Sequence, residues 1–178
     1  MYTRIIKIPE GVEVNVSRGK IEVKGPKGQL ARVCPLILEM KKEGIEITIS
    51  TKSEKAKEKA LVGAFAAHMQ NMINGVQELY VYKLKICYVH FPMSVKVSGQ
   101  DVSITNFLGE KKTKIVKLPS GVTAKLAGEI ITVESSDKEL AGQAVTRIEQ
   151  ATRVRKKDKR VFLDGIYLIE RDGKPIAT

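Results

Sequence analysis

Between Arg153 and Arg160 six of eight residues are lysine or arginine and one, Asp158, is acidic, so this short run carries a net +5 of the chain's formal +11. Guanidinium and ammonium groups at that density neutralise phosphates and displace the counterions around a polyanion. The run does not trail away as a charged tail. It passes into Val161, Phe162 and Leu163, then Asp164-Gly165, a dipeptide suited to a tight turn with positive φ, then Ile166-Tyr167-Leu168-Ile169, which together read as a hairpin. A charge run can also be a solvated loop that aids solubility. The flanking order points instead to a basic segment pinned at both ends and presented to a negative partner.

Other chemistries lack their residues. There is no Gly-x-Ser-x-Gly elbow, no His-Glu-x-x-His, no Walker-type phosphate loop and no dinucleotide fingerprint, so neither an enzyme nor a small-molecule substrate is expected. His68 falls on the apolar face of a helix and reads as a packing histidine, as Met69 and Met72 read as helix core. His90 reads as a strand residue beside Val89 and Phe91, with no Cys or second His at ligand spacing, so no metal or other cofactor is expected. Glu10 and Glu13 read as solvated surface charge. Gly25-Pro26-Lys27-Gly28 has the spacing of a loop that clamps nucleic-acid backbone between two helices. It lies between strand-like stretches, however, and reads as a turn needing glycine φ values. With 5% aromatic residues and no Trp, a stacking platform for single strands is not supported. Recognition of folded nucleic acid through phosphate and shape remains.

The 178 residues allow one large domain or two of about half that size, either able to bury a core. Hydrophobic content of 43% and a mean hydropathy of −0.13 are those of a globular chain, and a pI near 9.6 asks for a negative partner. Cys34 and Cys87 lie far apart, outside any Cys-x-x-Cys spacing, as reduced thiols of a cytoplasmic protein would. The start, Met1 to Lys7, has no long apolar stretch, and no apolar run is long enough for a membrane span.

The elements that must position the basic run repeat. Val12, Val14 and Val16, a Ser17-Arg18-Gly19 turn, then Ile21 and Val23 read as a hairpin; Leu30 to Cys34 and Ile45 to Ile49 read as further strands. From Ser53 to Asn74 the period becomes helical, with Ala60, Leu61, Ala64, Phe65, His68, Met69, Met72 and Ile73 on one face. Thr51 and Glu54 have capping-box spacing, and Gly75 is placed to end the helix. About 83 residues later the pattern returns: Phe91 to Val97 matches Ile8 to Val14, and Asp101 to Ile104 matches Lys20 to Val23. Ile131 to Val133 with the helical stretch Lys138 to Thr152 matches Ile47 to Ile49 and its helix, and Asn106 to Thr113 stands where Gly25 to Gly28 stands. That spacing fits a duplicated small domain. The expected class is α+β: two tandem related domains, residues 1–79 and 80–178, each a small, mostly antiparallel sheet packed against one helix. Lys117 to Val122 echoes Lys7 to Val12 and is expected to give the second half an additional hairpin.

Two long stretches, Leu61 to Val76 and Gln150 to Tyr167, with Lys83-Leu84-Lys85 and His90-Phe91-Pro92, carry a resemblance over essentially the whole chain. The chain resembles the large-subunit ribosomal protein six family in its archaeal and eukaryotic branch, and its short end, Arg171 to Thr178, is more like the archaeal members. The resemblance implies a structural constituent of the large ribosomal subunit, cytoplasmic and active in translation. Its partners would be 23S-type rRNA, near the sarcin-ricin loop and the base of the factor-binding stalk, and neighbouring large-subunit proteins. It places the main RNA contact on Arg153, Arg155, Lys156, Lys157, Lys159 and Arg160, with Phe162, Gly165 and Tyr167 fixing the path of the segment. Lys111, Lys112 and Lys114 are a second candidate contact, from charge alone. The alternative is a basic two-domain module that docks on an acidic protein.

Overall fold

Alternating apolar residues build the strands of the first half. A computed structural model describes every residue except Met1, Arg18, Ser53, Glu54, Lys156, Lys159, Ala177 and Thr178. The chain divides into two units, Met1–Leu79 and Tyr80–Thr178. In the first, β1 (Tyr2–Lys7), β2 (Glu13–Ser17), β3 (Lys20–Gly25), β4 (Gly28–Val33), β5 (Glu39–Glu43) and β6 (Glu46–Thr51) precede one helix, α1 (Ala56–Gln77). The strands form two antiparallel sheets of three, in the orders β1-β6-β5 and β2-β3-β4. The α+β class is as expected, but each unit uses more than one sheet. Val14, Ile21, Val23, Ile47 and Ile49 are fully buried at every second position, where the period of a strand puts them on the core side.

The buried face of α1 is Val62, Phe65, Ala66, Met69, Met72, Ile73 and Val76, a steps-of-three-and-four pattern. It is rotated from the expected face, since Ala60 and Ala64 are exposed. Two β-branched valines bury more apolar area than two alanines, and they decide the rotation. The expected cap also differs. Lys55 is the N-cap and makes no side-chain cap bond, while Thr51 donates its hydroxyl to Oε2 of Glu58 at 2.7 Å; Glu54 lies outside the described residues. Nor does Gly75 end the helix, which runs to Gln77 with Gly75 buried inside it. The reason is packing: Val76 is fully buried, and its carbonyl accepts the backbone N–H of Lys27 at 2.9 Å. A Cβ at Gly25 would sit 2.8 Å from Val76 Cγ2 and 2.9 Å from its carbonyl oxygen. Gly25 therefore serves a close approach of backbone to helix, not a special φ. Gly25 pairs with Gly28 across the two-residue turn between β3 and β4.

The second unit repeats this order with β7 (Tyr80–Cys87), β8 (Ser94–Ser98), β9 (Asp101–Thr105), a 3-10 turn (Phe107–Gly109), β10 (Lys114–Lys117), β11 (Val122–Ala127), β12 (Ile130–Ser135) and α2 (Lys138–Ala151). It then adds β13 (Gly165–Arg171) and β14 (Lys174–Pro175). Its sheets run β10-β9-β8 and β11-β12-β7-β13-β14, so β13 occupies the edge of β7 that, among the described residues, the corresponding β1 leaves unpaired in the first unit. Leu84, Val102, Ile104, Ile131, Val133, Ala141, Ala144 and Ile148 are fully buried at its centre.

Two expected hairpins are absent. Lys117 to Val122 joins β10 in one sheet to β11 in the other, as Lys7 to Val12 does between β1 and β2; buried Leu118 and Val122 hold this crossover in the core. At Asp164-Gly165 no turn forms, because Val161 to Leu163 are not a strand. The hairpin lies one Asp-Gly further on, where Asp172 and Gly173 take φ of 52° and 74° and Arg171 pairs with Lys174. Positive φ at both central residues is what a type I′ two-residue hairpin turn requires.

Candidate nucleic-acid interface

The cationic segment begins where α2 stops. The Asp137 carboxylate caps the helix N-terminus by accepting the Glu139 N–H at 2.8 Å, and Ala141, Ala144, Val145 and Ile148 bury one face of the helix in the sheet. At its C-terminus Thr152 is nearly fully buried, and its Oγ1 accepts the backbone N–H of Ile166 at 2.9 Å. Val154, two residues on, is in the core. Glu149 reaches the same strand, its Oε1 accepting the Leu168 N–H at 2.9 Å. The end of α2 and the start of β13 are thus tied together, and the residues between them form a loop with a closed neck.

That neck is closed a second time. Asp164 is 2% exposed, and its carboxylate accepts the backbone N–H groups of Val89 at 2.9 Å and His90 at 3.2 Å, while the His90 Nδ1 lies 2.9 Å from the other oxygen. An ionised carboxylate can only accept, so Nδ1 carries the proton. Burial alone would raise the Asp164 pKa; these hydrogen bonds outweigh it and hold the group at about 2. The His90 ring stacks on Phe162 with centroids 4.5 Å apart and planes 25° apart, and the Lys157 ammonium lies 4.4 Å from the Phe162 centroid.

Within the loop, Arg153, Arg155, Lys157 and Arg160 are exposed. The Arg160 side chain stays 91% exposed although its Nε lies 3.5 Å from the Asp158 carboxylate, which also accepts the Arg160 backbone N–H at 2.9 Å. Lys156 and Lys159 lie outside the described residues. Of the three path-fixing candidates, Phe162 carries the stack and Tyr167 donates its hydroxyl to the Asp164 carbonyl at 3.4 Å. Gly165 is buried, and a Cβ there would lie 3.0 Å from the Tyr167 hydroxyl. In the other candidate loop Lys111 and Lys112 are exposed. Lys114 is held back, with Nζ 3.2 Å from the Glu110 carboxylate and 4.2 Å from the Phe107 ring centroid.

His90, Asp164 and Thr152 were not expected at this site. His90 lies beyond the end of β7 rather than in a strand, which frees its ring to turn toward the loop. The signal for Asp164 is a carboxylate set in an apolar run of Phe162, Leu163 and Ile166, where an acid that becomes buried requires donors. Among the described residues no three His, Cys, Asp or Glu side chains gather as a metal site, and no helix is long and apolar enough to cross a membrane.

Fold and site together define a duplicated α+β protein carrying a cationic loop clamped at its neck. A family model described as Ribosomal protein L6 matches residues 8–79 and 91–165. The chain belongs to the Ribosomal protein L6 family. It is similar to the Large ribosomal subunit protein uL6 of Methanothrix thermoacetophila, 43% identical over 169 residues that cover 94% of this chain and 96% of the relative. The proteins of the same name from Ignicoccus hospitalis and Methanosarcina mazei are also 43% identical, over 174 and 170 residues, each covering 94% of this chain and 94% and 96% of the relative. These relatives are archaeal, in keeping with the archaeal and eukaryotic branch of the family.

Proposed function

We propose that this protein is a non-enzymatic structural constituent of the large ribosomal subunit that binds 23S-type rRNA through the 153–160 segment, near the sarcin-ricin loop and the base of the factor-binding stalk. The observation that carries this reading is the doubly tied neck: an exposed cluster of guanidinium and ammonium groups is held by Thr152 on one side and Asp164 on the other. A clamped loop loses less conformational entropy on binding than a free tail of the same charge. Exposed Lys111 and Lys112 offer a second, weaker contact. Neighbouring large-subunit proteins are further partners, and the setting is the cytoplasmic ribosome in translation.

The direct test is a chemical footprint of the purified protein on large-subunit rRNA, with and without neutralisation of Arg155, Lys156, Lys157 and Arg160. Protection confined to the sarcin-ricin region and stalk base, and lost in the neutralised protein, is the expected result. Substitution is preferable to truncation, because removing residues from 153 onward would also remove β13 from between β7 and β14. A protein that leaves rRNA unprotected yet sediments with an acidic partner would favour the docking-module alternative.

A further inference from the structure

The Asp164 carboxylate already has two backbone donors, and a third comes from an imidazole whose ring face continues the contact outward. His90 stacks on Phe162 at 4.5 Å, and Phe162 in turn holds the Lys157 ammonium at 4.4 Å from its centroid. A buried charge thus fixes the tautomer and orientation of a ring, the ring fixes a second ring, and the second ring holds an exposed cation. Inside the loop the Asp158 carbonyl accepts the N–H groups of Val161 at 3.2 Å and Phe162 at 3.0 Å and keeps Phe162 turned back over Lys157. Lysine carries large rotamer freedom, so an ammonium held in place before binding gives up less on meeting a phosphate.

Resting on the rRNA reading above, we infer that His90 and Asp164 are positioning residues for nucleic-acid binding: they set the Phe162 platform from which Lys157 meets a phosphate of the RNA. His90 itself touches no ligand in this arrangement. Its side chain is 33% exposed, so replacing it does not open the core. Energetic coupling of His90 to Lys157, and not to Arg153, is what separates a positioning role from simple support of the fold.

The test is a double-substitution cycle on the full chain, with a large-subunit rRNA fragment spanning the sarcin-ricin region as probe. His90→Ala and Lys157→Ala should each weaken binding about fivefold, and the double variant should bind about as well as either single one. Arg153→Ala combined with His90→Ala should instead show multiplied losses; thermal unfolding should move little for Lys157→Ala and Arg153→Ala, and should fall for His90→Ala, which removes a donor from the buried Asp164 carboxylate. The free protein gives a second readout: the Lys157 ε-methylene protons should carry an upfield ring-current shift that both His90→Ala and Phe162→Ala remove. His90→Phe keeps a ring without the carboxylate bond and should restore part of the shift; Asp164→Asn keeps an acceptor for the backbone donors and should weaken it. Multiplied losses for His90 with Lys157, or unchanged binding by His90→Ala, overturn the positioning role alone. A wild-type chain that shows the ring-current shift but does not bind the fragment overturns the RNA reading and the positioning role with it. Absence of the shift in the wild type overturns the stack.

Discussion

The Asp164 carboxylate accepts the Nδ1–H of His90 at 2.9 Å, tying the last residue before β13 to the segment just past the end of β7. The same carboxylate takes two backbone N–H groups, so the bond closes the base of the cationic loop with a single buried charge.

This has a consequence for acid stability. Burial pushes the Asp164 pKa up, but the bonds from the His90 ring and from the Val89 and His90 backbones pull it further down, from 3.8 to about 2. The folded pKa lies below the unfolded one, so the group stabilises the fold above the unfolded pKa and that contribution fades as pH falls from about 4 to about 2. Its size is about 2 kcal/mol. Urea midpoints measured from pH 5 down to pH 2 should fall more steeply for the wild type than for Asp164→Asn. Parallel curves would contradict the assignment.

Thr152 tests the other side of the neck. Thr152→Val keeps the shape but leaves the buried Ile166 N–H without its acceptor, at a cost of about 1–3 kcal/mol. Limited proteolysis should then cut between residues 155 and 163 faster than in the wild type. An unchanged cutting rate together with unchanged stability would mean that the Thr152 bond contributes nothing to the loop.

Two glycines should respond in opposite directions. Gly25→Ala drives a methyl group to within 2.8 Å of Val76 and against its carbonyl, so the helix end must move and stability should drop by about 1–3 kcal/mol. Gly63→Ala lies within α1, where a Cβ meets nothing within 4 Å. It should raise stability by about 0.5–1 kcal/mol through helix propensity. Guanidinium denaturation of the two variants decides both.

Much of this fold is readable from residue order because its signals are local. The alternation at Val12, Val14, Ile21 and Val23 and the helical period around Phe65, Met69 and Ile73 come from backbone geometry that any reader of the chain can apply. What could not be read depends on partners distant in sequence. Gly75 resembles a helix stop, and only the packing of Val76 on Gly25 shows why the helix continues. Asp164-Gly165 resembles a turn, and only the donors at Val89 and His90 show that the aspartate is needed as a buried acceptor. Likewise the basic run was plain in composition, whereas its attachment through Thr152 and the Phe162 stack required the fold.

Charge placement, not total charge, should govern RNA affinity. Neutralising Lys55, Lys57 and Lys59 in and just before the first turn of α1 removes nearly as much charge as neutralising four residues of the loop. Lys57 is exposed there, and Lys59 lies 5.9 Å from the Tyr2 ring centroid. Filter binding to large-subunit rRNA should change by less than about twofold for this variant at physiological salt. A loss equal to that of the loop variant would point to net charge alone.

The measurement closest to the central claim is the slope of log affinity for large-subunit rRNA against log salt, in the wild type and after neutralising Arg155, Lys156, Lys157 and Arg160. Each phosphate engaged contributes about −0.7 to −0.9 to that slope, so the neutralised protein should show a slope shallower by about 3, with weaker binding and little change in unfolding temperature. A slope that stays the same while the protein remains folded would show that the clamped loop is not where the RNA is held.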